Sequence, residues 1–325
     1  MTRRCLVVHP GALGDVLLAG PALGHLRALG FRATLAVTSR LVALFAGSGL
    51  VHDARNLDSL GLHRLFVESI APNALAPIEV FDALVFWMGA GDPVFRRNLA
   101  TIDRPTVIAR AQPPPGAGRH VSRHLVETLA PLGPLPPDLP FARVHVIPAA
   151  RASAGAWLAD RGIGPGDAVV LQPGAGSAAK MWPGFPALAH RLRASGLPVI
   201  ALAGPADGLA VEALLAAEAL AEDRVARDWP LVEIAGLLSL ARAAVGNDSG
   251  PTHLAAAVGC PTVALFGPTD PAAWVPVGAA VRTLRGTSAA TSWPDVDRVS
   301  ATLEALLAGG RATRSGRHPV SRAWR

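Results

Sequence analysis

Three stretches of this chain bring together residue types that can do chemistry. In the first, the apolar run Ala243 to Gly246 stops at Asn247-Asp248-Ser249, followed by Gly250 and a helix-forming stretch from Thr252 to Val258. That order predicts strand, tight turn, helix. Asp248 and Ser249 are expected to cap the helix, Gly250 lets another backbone approach closely, and free amides at a helix N-terminus favour an anion such as phosphate. His253, in the first turn, can reach the same anion. Taken alone, the same residues also describe an ordinary capped turn. In the second stretch, the strand-like Ala168 to Gln172 leads through Pro173-Gly174-Ala175-Gly176-Ser177-Ala178-Ala179 to Lys180 and Met181-Trp182-Pro183. This contains a GxGxxA pattern, a weak dinucleotide signal by itself. A nucleotide loop of the GxxxxGK[ST] kind is excluded by spacing and by the absence of Ser or Thr after Lys180. A phosphate loop with Lys180 as its cation fits better. The third stretch is Pro10-Gly11-Ala12-Leu13-Gly14-Asp15, a glycine-rich turn after a strand, with Asp15 near the start of a helix. Asp15 there is either a site carboxylate at a strand's C-terminal end or a charge that complements the helix dipole.

Lys180 stands out for a second reason. Of the 30 Lys and Arg residues, it alone is lysine. Abundant Ala, Pro, Gly and Arg and the absence of Tyr point to a coding bias, so the net charge of +6 carries little functional weight and no nucleic-acid partner is expected. A site that needs a compact ammonium rather than a planar guanidinium would resist that bias. The basic stretch from 96 to 124, which includes Arg119 and Arg123, reads as a solvated face or as a surface for an anionic substrate. Two cysteines are too few for a disulfide framework, and Cys5 and Cys260 are expected to be reduced and structural. No HExxH or CxxC occurs, Asp295-Val296-Asp297 reads as a helix start, and no metal site is expected. No apolar run reaches membrane-span length and no signal peptide is evident, so a cytoplasmic location is expected.

These residues need elements to position them. A chain of 325 residues predicts two domains. Strands are expected at 4–9, 33–37, 52–57, 82–88 and 105–109, with a helix at 16–29. The second half alternates again: helix 150–162, strand 168–172, helix 185–195, strand 198–203, helix 208–221, strand 224–227, helix 231–241, strand 243–247, helix 251–258, strand 262–266 and helix 295–308. Such alternation implies α/β domains with parallel sheets. The proline-rich stretch 131–149 is the expected linker, giving domains at 1–148 and 149–308 and a basic, disordered tail at 309–325. Both phosphate-type turns then open on the same sheet edge, an arrangement suited to a diphosphate. Asp207, after the next strand, either accepts from a ribose hydroxyl or caps the helix behind it.

Three blocks together resemble glycosyltransferase family 9, the ADP-heptose:lipopolysaccharide heptosyltransferases: Val7 to Leu18, Pro173 to Pro183, and Asn247 to Ala257 with Phe266-Gly267-Pro268-Thr269-Asp270-Pro271. Their order and separation match the family through about residue 308. The resemblance implies a GT-B fold, two Rossmann-like domains facing a central cleft, with acceptor bound by the first and nucleotide-sugar by the second. It implies inverting, metal-independent transfer of heptose or a related sugar from an ADP-sugar to a lipopolysaccharide core or similar anionic glycan, with no cofactor. By the family pattern Asp15 matches the general base and Lys180 the lysine that neutralises the donor phosphates. Gly174, Ala175 and Gly176 belong to the same donor loop, and Asp248, Ser249, Gly250 and His253 match the loop that holds diphosphate and sugar. Gly11, Gly14, Arg119 and Arg123 fall on the acceptor side, and Asp207 stands where the family often has a ribose-binding Glu. A lipid-linked acceptor implies peripheral contact with the cytoplasmic face of the inner membrane. The alternatives are the same fold with another nucleotide-sugar, a nucleotide-sugar-binding protein without transferase activity, and an NAD(P)-dependent oxidoreductase built on Gly174–Ala179.

Overall fold

The computed structural model describes residues 3–71, 73–139, 143–286 and 293–312, with nothing said of side chains at 309–312. The chain divides into two compact units, Met1–His145 and Val146–Arg325.

The first unit is built on strands whose apolar runs are buried on both faces, as parallel sheets require. Its elements are β1 (Arg3–Val8), α1 (Leu13–Leu18), α2 (Gly20–Ala28), β2 (Phe31–Val37), α3 (Ser39–Ala46), β3 (Asp53–Asn56), α4 (Ala76–Glu79), β4 (Ala83–Phe86), α5 (Pro93–Leu99), β5 (Thr106–Ile108) and α6 (Val121–Glu127). All neighbours run parallel, in the order β3-β2-β1-β4-β5. β1 is central, with Leu6 and Val8 fully buried, so the turn after it leaves the middle of the sheet's C-terminal edge. One helix was expected over 16–29. Two are found, starting earlier, at Leu13, and broken at Ala19. Pro21 in the first turn of α2 has no N–H to continue the ladder, while the Leu23 amide donates to Ala19 O at 3.0 Å to restart it. Asp15 consequently lies inside the first turn of α1.

The second unit repeats the plan. Its elements are α7 (Pro148–Ala159), β6 (Val169–Gln172), α8 (Phe185–Ala194), β7 (Val199–Ala203), α9 (Gly208–Ala216), β8 (Val225–Arg227), α10 (Leu231–Leu240), β9 (Ala243–Asn247), α11 (Gly250–Val258), β10 (Thr262–Phe266), α12 (Pro271–Trp274), β11 (Val281–Arg285) and α13 (Val296–Ala312). Six strands pair in parallel, in the order β11-β10-β9-β6-β7-β8. β6 and β9 are adjacent at the centre, with Gln172 in register with Gly246, so the turns that follow them start side by side. The core joins Val169, Leu171, Val245, Val263 and Leu265 to Trp182, Phe185 and Leu188 under α8 and to Val299 and Leu303 of α13.

Three expectations need correcting here. β11 was not expected: its residues alternate with Arg282 and Arg285, and Leu284 alone is buried, as suits a charged edge strand. α9 stops at Ala216 rather than 221, where the chain turns through Glu218 in a left-handed conformation, φ 53°. The last helix runs to Ala312, into the segment expected as tail. Gly309 and Gly310 do not stop it, since glycine costs a helix only about 1 kcal/mol relative to alanine. The rest of the expected tail, from 313 onward, lies outside the described residues.

α10 packs on α7 at a glycine: a methyl group at Gly236 would stand 2.3 Å from Ala150 O. Gly236→Ala is therefore expected to destabilise the protein by about 1–2 kcal/mol, the overpacking cost outweighing the helix-propensity gain. Urea unfolding, read by the shift in midpoint at constant slope, checks it.

Candidate functional site

The two loops after β6 and β9 are knitted together by Asn247. Its side chain is fully buried. Nδ2 donates to Pro173 O at 2.7 Å and to Gly174 O at 3.3 Å, while Oδ1 accepts from the Trp182 amide at 3.0 Å. One amide thus ties both ends of the glycine-rich loop to the end of β9. Such a network is stabilising when its members are satisfied and costly when they are not. Trp182 adds an anchor: its indole donates to Pro294 O at 2.8 Å and its ring meets Phe185 edge-on. Between these ties the loop makes a 3₁₀ turn, Ala178–Lys180, that turns Lys180 back toward β9.

Lys180 Nζ donates to Asp248 Oδ2 at 2.9 Å. The same oxygen accepts from Thr269 Oγ1 at 2.9 Å, and Oδ1 faces His253 Nε2 at 3.6 Å. Asp248 and His253 are buried, and Lys180 remains a third exposed. Burial pushes the Asp248 carboxyl up. The hydrogen bonds and charges of His253 and Lys180 outweigh it and hold the group at about 2. The carboxylate is therefore ionised, and it holds an ammonium, a hydroxyl and an imidazole around one point.

This corrects the expected capping roles. Neither Asp248 nor Ser249 caps α11: Asp248 turns to Lys180, and Ser249 Oγ meets Thr252 Oγ1 at 3.2 Å. The start of α11 therefore has no side-chain cap, in keeping with an anion-receptive helix end. Asp207 is not a cap either. Its carboxylate accepts from the Gly204 amide at 2.9 Å and from Gln172 Nε2 at 3.2 Å. It also presses on the glycine-rich loop, since a methyl at Gly174 would lie 1.9 Å from Asp207 Oδ1. Gly174 is thus sterically required, Ala175 is buried, and Gly176 is exposed with open space where a side chain would go. α8 begins only at Phe185, well beyond the GxGxxA pattern.

In the first unit, Asp15 Oδ2 accepts from the Ala12 amide at 3.0 Å, so the carboxylate is fixed at the start of α1 and half-buried. His9, just past β1, is 1 % exposed, and its Nδ1 accepts from the Gly11 amide at 3.1 Å. Burial lowers its pKa to about 4, leaving the ring neutral. A methyl at Gly11 would stand 2.7 Å from the His9 ring and 2.8 Å from Asp15 Cβ, so Gly11 lets both side chains close on the turn. Gly14 lies within α1. Arg119 pairs with Glu127 at 2.5 Å, and Arg123 is half-buried on α6. Cys5 and Cys260 are free and buried, their thiols pushed up to about 12 by burial. Among the described residues no group of three or more His, Cys, Asp or Glu side chains is arranged to hold a metal ion.

Thr269 and Asn247 are the site residues that sequence reasoning quoted without assigning. Both lie inside the motif blocks, and Asn247 beside an Asp at a strand end was the available signal. Thr269, 21 residues from Asp248, had none.

Residues 143–302 match the model of a family described as glycosyltransferase family 9 (heptosyltransferase). A segment of 113 residues is 35 % identical to lipopolysaccharide heptosyltransferase 3 of Escherichia coli, and the match spans 33 % of this chain and 33 % of that protein. Among solved structures, a family 9 glycosyl transferase from Veillonella parvula superposes with a TM-score of 0.76 at 19 % identity, covering 94 % of this chain and 97 % of the other. The ADP-heptose lipopolysaccharide heptosyltransferase II of E. coli gives 0.73 at 21 % identity, covering 95 % and 99 %. E. coli heptosyltransferase WaaC, solved with ADP, gives 0.63 at 18 %, covering 93 % and 99 %. These likenesses are of fold, and the two Rossmann-like units are those of the GT-B class.

The Asp248 cluster has a pH signature. With its folded pKa below the unfolded value of 3.8, Asp248 contributes stability that is complete above about pH 5 and is lost as pH falls through about 2. The contribution is on the order of 2 kcal/mol. Urea unfolding of wild type and Asp248→Asn is expected to give stabilities that differ at neutral pH and converge toward pH 2.

Proposed function

We propose, from the premise that this chain belongs to glycosyltransferase family 9, that it is an inverting glycosyltransferase. Its donor on this reading is an ADP-sugar carrying heptose or a related sugar, and its acceptor is a lipopolysaccharide core or another anionic surface glycan. The observation that carries the reading is the cluster of Lys180, Asp248, Thr269 and His253 beside the uncapped start of α11. That is one part-exposed cation beside the uncapped amides at the start of α11, a combination suited to a diphosphate leaving group.

In the proposed reaction Asp15 takes the proton of the acceptor hydroxyl. The freed oxygen attacks the anomeric carbon on the face opposite the phosphate. The carbon–oxygen bond to the nucleoside diphosphate breaks, and the diphosphate leaves with both electrons of that bond. General-base help of this kind contributes about 10²–10⁴ in rate. The Ala12 amide orients Asp15 Oδ2, and the buried neutral His9 shapes the turn beneath it. Lys180 moves from Asp248 to the departing phosphates, where an aimed donor is worth roughly 3–4 kcal/mol. His253 and the first amides of α11 complete the cradle. Asp248, relieved of Lys180, is then free to accept from sugar hydroxyls. On this reading the positive charge comes from the chain itself, and turnover needs no metal or other cofactor.

Asp207, held against Gly174 and Gly204, is proposed to border the ribose of the nucleotide. The first unit is proposed to hold the acceptor. Gly11 and Gly14 keep the turn beside Asp15 slim, and Arg123 faces an anionic part of the acceptor; Arg119 already has Glu127 as its partner. Among the described residues no helix is long and apolar enough to cross a membrane. The proposed working location is the cytoplasm, with peripheral contact at the inner membrane where the acceptor is lipid-linked.

Three measurements test this. A panel of ADP-, UDP- and GDP-sugars, with nucleoside diphosphate release as the readout and EDTA present, is expected to give turnover with ADP-sugars. Asp15→Asn is expected to lower kcat by about 10²–10⁴ with the donor KM little changed. Release from UDP- or GDP-sugars alone would overturn the donor assignment, and an unaltered kcat in Asp15→Asn would overturn the base. In the same assay Arg123→Gln is expected to raise the acceptor KM about tenfold, as for loss of a charge-assisted contact, leaving the donor KM unchanged.

A further inference from the structure

The second unit carries a pocket that this reaction does not use. It has a volume of about 390 Å³ and lies between the end of α8, the starts of β7 and β9, and the later turns of α13. Its walls are mostly apolar: Leu192, Leu197, Leu303 and Leu307. A volume of this size is in the range of small-molecule sites, about 300–1,000 Å³. It opens at the N-terminal end of β9, whose C-terminal end carries Asp248. β7 and β9 are five residues long, so the two places are separated by a strand length, about 16 Å.

Among the described residues, two polar groups in this wall lack partners. Arg242, just before β9, is half-buried, and its guanidinium makes no hydrogen bond or ion pair with any described residue. Ser300 is 5 % exposed, and its Oγ, closed off from solvent, has no hydrogen-bond partner among the described residues, although a helical serine ordinarily bonds back to the preceding turn. The neighbouring charges do not serve Arg242. Asp297 is taken by Arg191 at 2.5 Å, and Glu304 is exposed and makes no ion pair. A half-buried guanidinium beside leucines is poorly solvated, and a planar two-oxygen anion is the partner that fits its fork.

We propose that this pocket binds a single-chain aliphatic anion, with its carboxylate or phosphate on Arg242 and its alkyl chain along Leu192, Leu197, Leu303 and Leu307. The ligand class follows from the pairing of Arg242, unpartnered among the described residues, with the apolar part of the wall; Arg191, held by Asp297, and the exposed Glu304 also border the pocket. The source this wall fits is a free single-chain amphiphile such as a fatty acid, and attraction to an anionic bilayer surface is the competing outcome that the test separates from it.

The test is calorimetric titration of the full chain, saturated with ADP, with decanoate below its micellar concentration. The neutral isostere 1-decanol and vesicles containing an anionic phospholipid serve as further arms. One decanoate per chain is expected. Binding should weaken at least about tenfold in Arg242→Gln and for decanol, as for loss of a charge-assisted contact. It should also be lost in Leu307→Trp, where the partly buried wall residue is enlarged into the pocket. The ADP affinity of Arg242→Gln is expected to equal that of wild type. Equal decanoate binding by Arg242→Gln, equal binding of decanol, or binding to vesicles without binding of monomeric decanoate would each overturn the proposal. A parallel loss of ADP affinity in Arg242→Gln would overturn the independence of the pocket. The decanoate, decanol and vesicle outcomes are separate from failure of the glycosyltransferase reading, because they can be read equally without ADP and without turnover; only the ADP-affinity comparison rests on that reading.

Discussion

The site depends on one buried carboxylate being kept ionised. Asp248 is taken out of water at the end of a central strand, which alone would favour its neutral form. His253 and Lys180 reverse that preference, and Thr269 donates a further hydrogen bond to the same carboxylate. The arrangement is asymmetric. The acid is buried and the lysine is a third exposed, so the flexible ammonium is the partner able to leave. A buried ion pair is a poor source of net stability, since desolvation consumes much of its Coulomb gain. On the proposed reading its value is that the charge is stored beside the place where a second anion would arrive. A lysine suits this role better than an arginine, because a point charge on a four-carbon stem can swing between two oxygens without satisfying a fork.

The remainder of the second unit can be understood as support for that pair. β6 and β9 are adjacent, so their outgoing turns start side by side. Asn247 fastens the first turn to the second strand at both of the loop's ends. Asp207 closes the far side against Gly174, and only a glycine fits there. Lys180 lies 68 residues from its partner in sequence, yet it is confined to a short arc because the loop around it is tied at 173–174 and at 182. In the first unit a smaller version of the same logic holds. A buried histidine acceptor, a glycine and a helix-start amide fix Asp15 at the edge of the central strand β1.

Much of this was legible in the sequence because it rests on local patterns. Alternating apolar runs and helical stretches gave both parallel sheets, and the polar interruptions at 173–180 and 247–253 are the turns that the structure brings together at adjacent strand ends. The parts that were misread depend on tertiary partners. Asp248 and Ser249 have the composition of a helix cap, and nothing local says that Asp248 prefers a lysine arriving from another loop. Asp207 likewise looks like a cap, and it turns instead to Gln172 and Gly204. Thr269 entered the site only because β10 returns beside β9. β11 was missed because an edge strand with two arginines has little apolar pattern to detect, and the break between α1 and α2 because the apolar run continues across it.

The central claim is that the Lys180–Asp248 pair is the waiting half of a diphosphate site. The most direct measurement is calorimetric titration of ADP, in EDTA, into wild type and Lys180→Ala. The account predicts binding by wild type that EDTA does not alter and that weakens at least about tenfold, roughly 1.4 kcal/mol, in the variant. An ADP affinity unchanged by removal of Lys180 would contradict it.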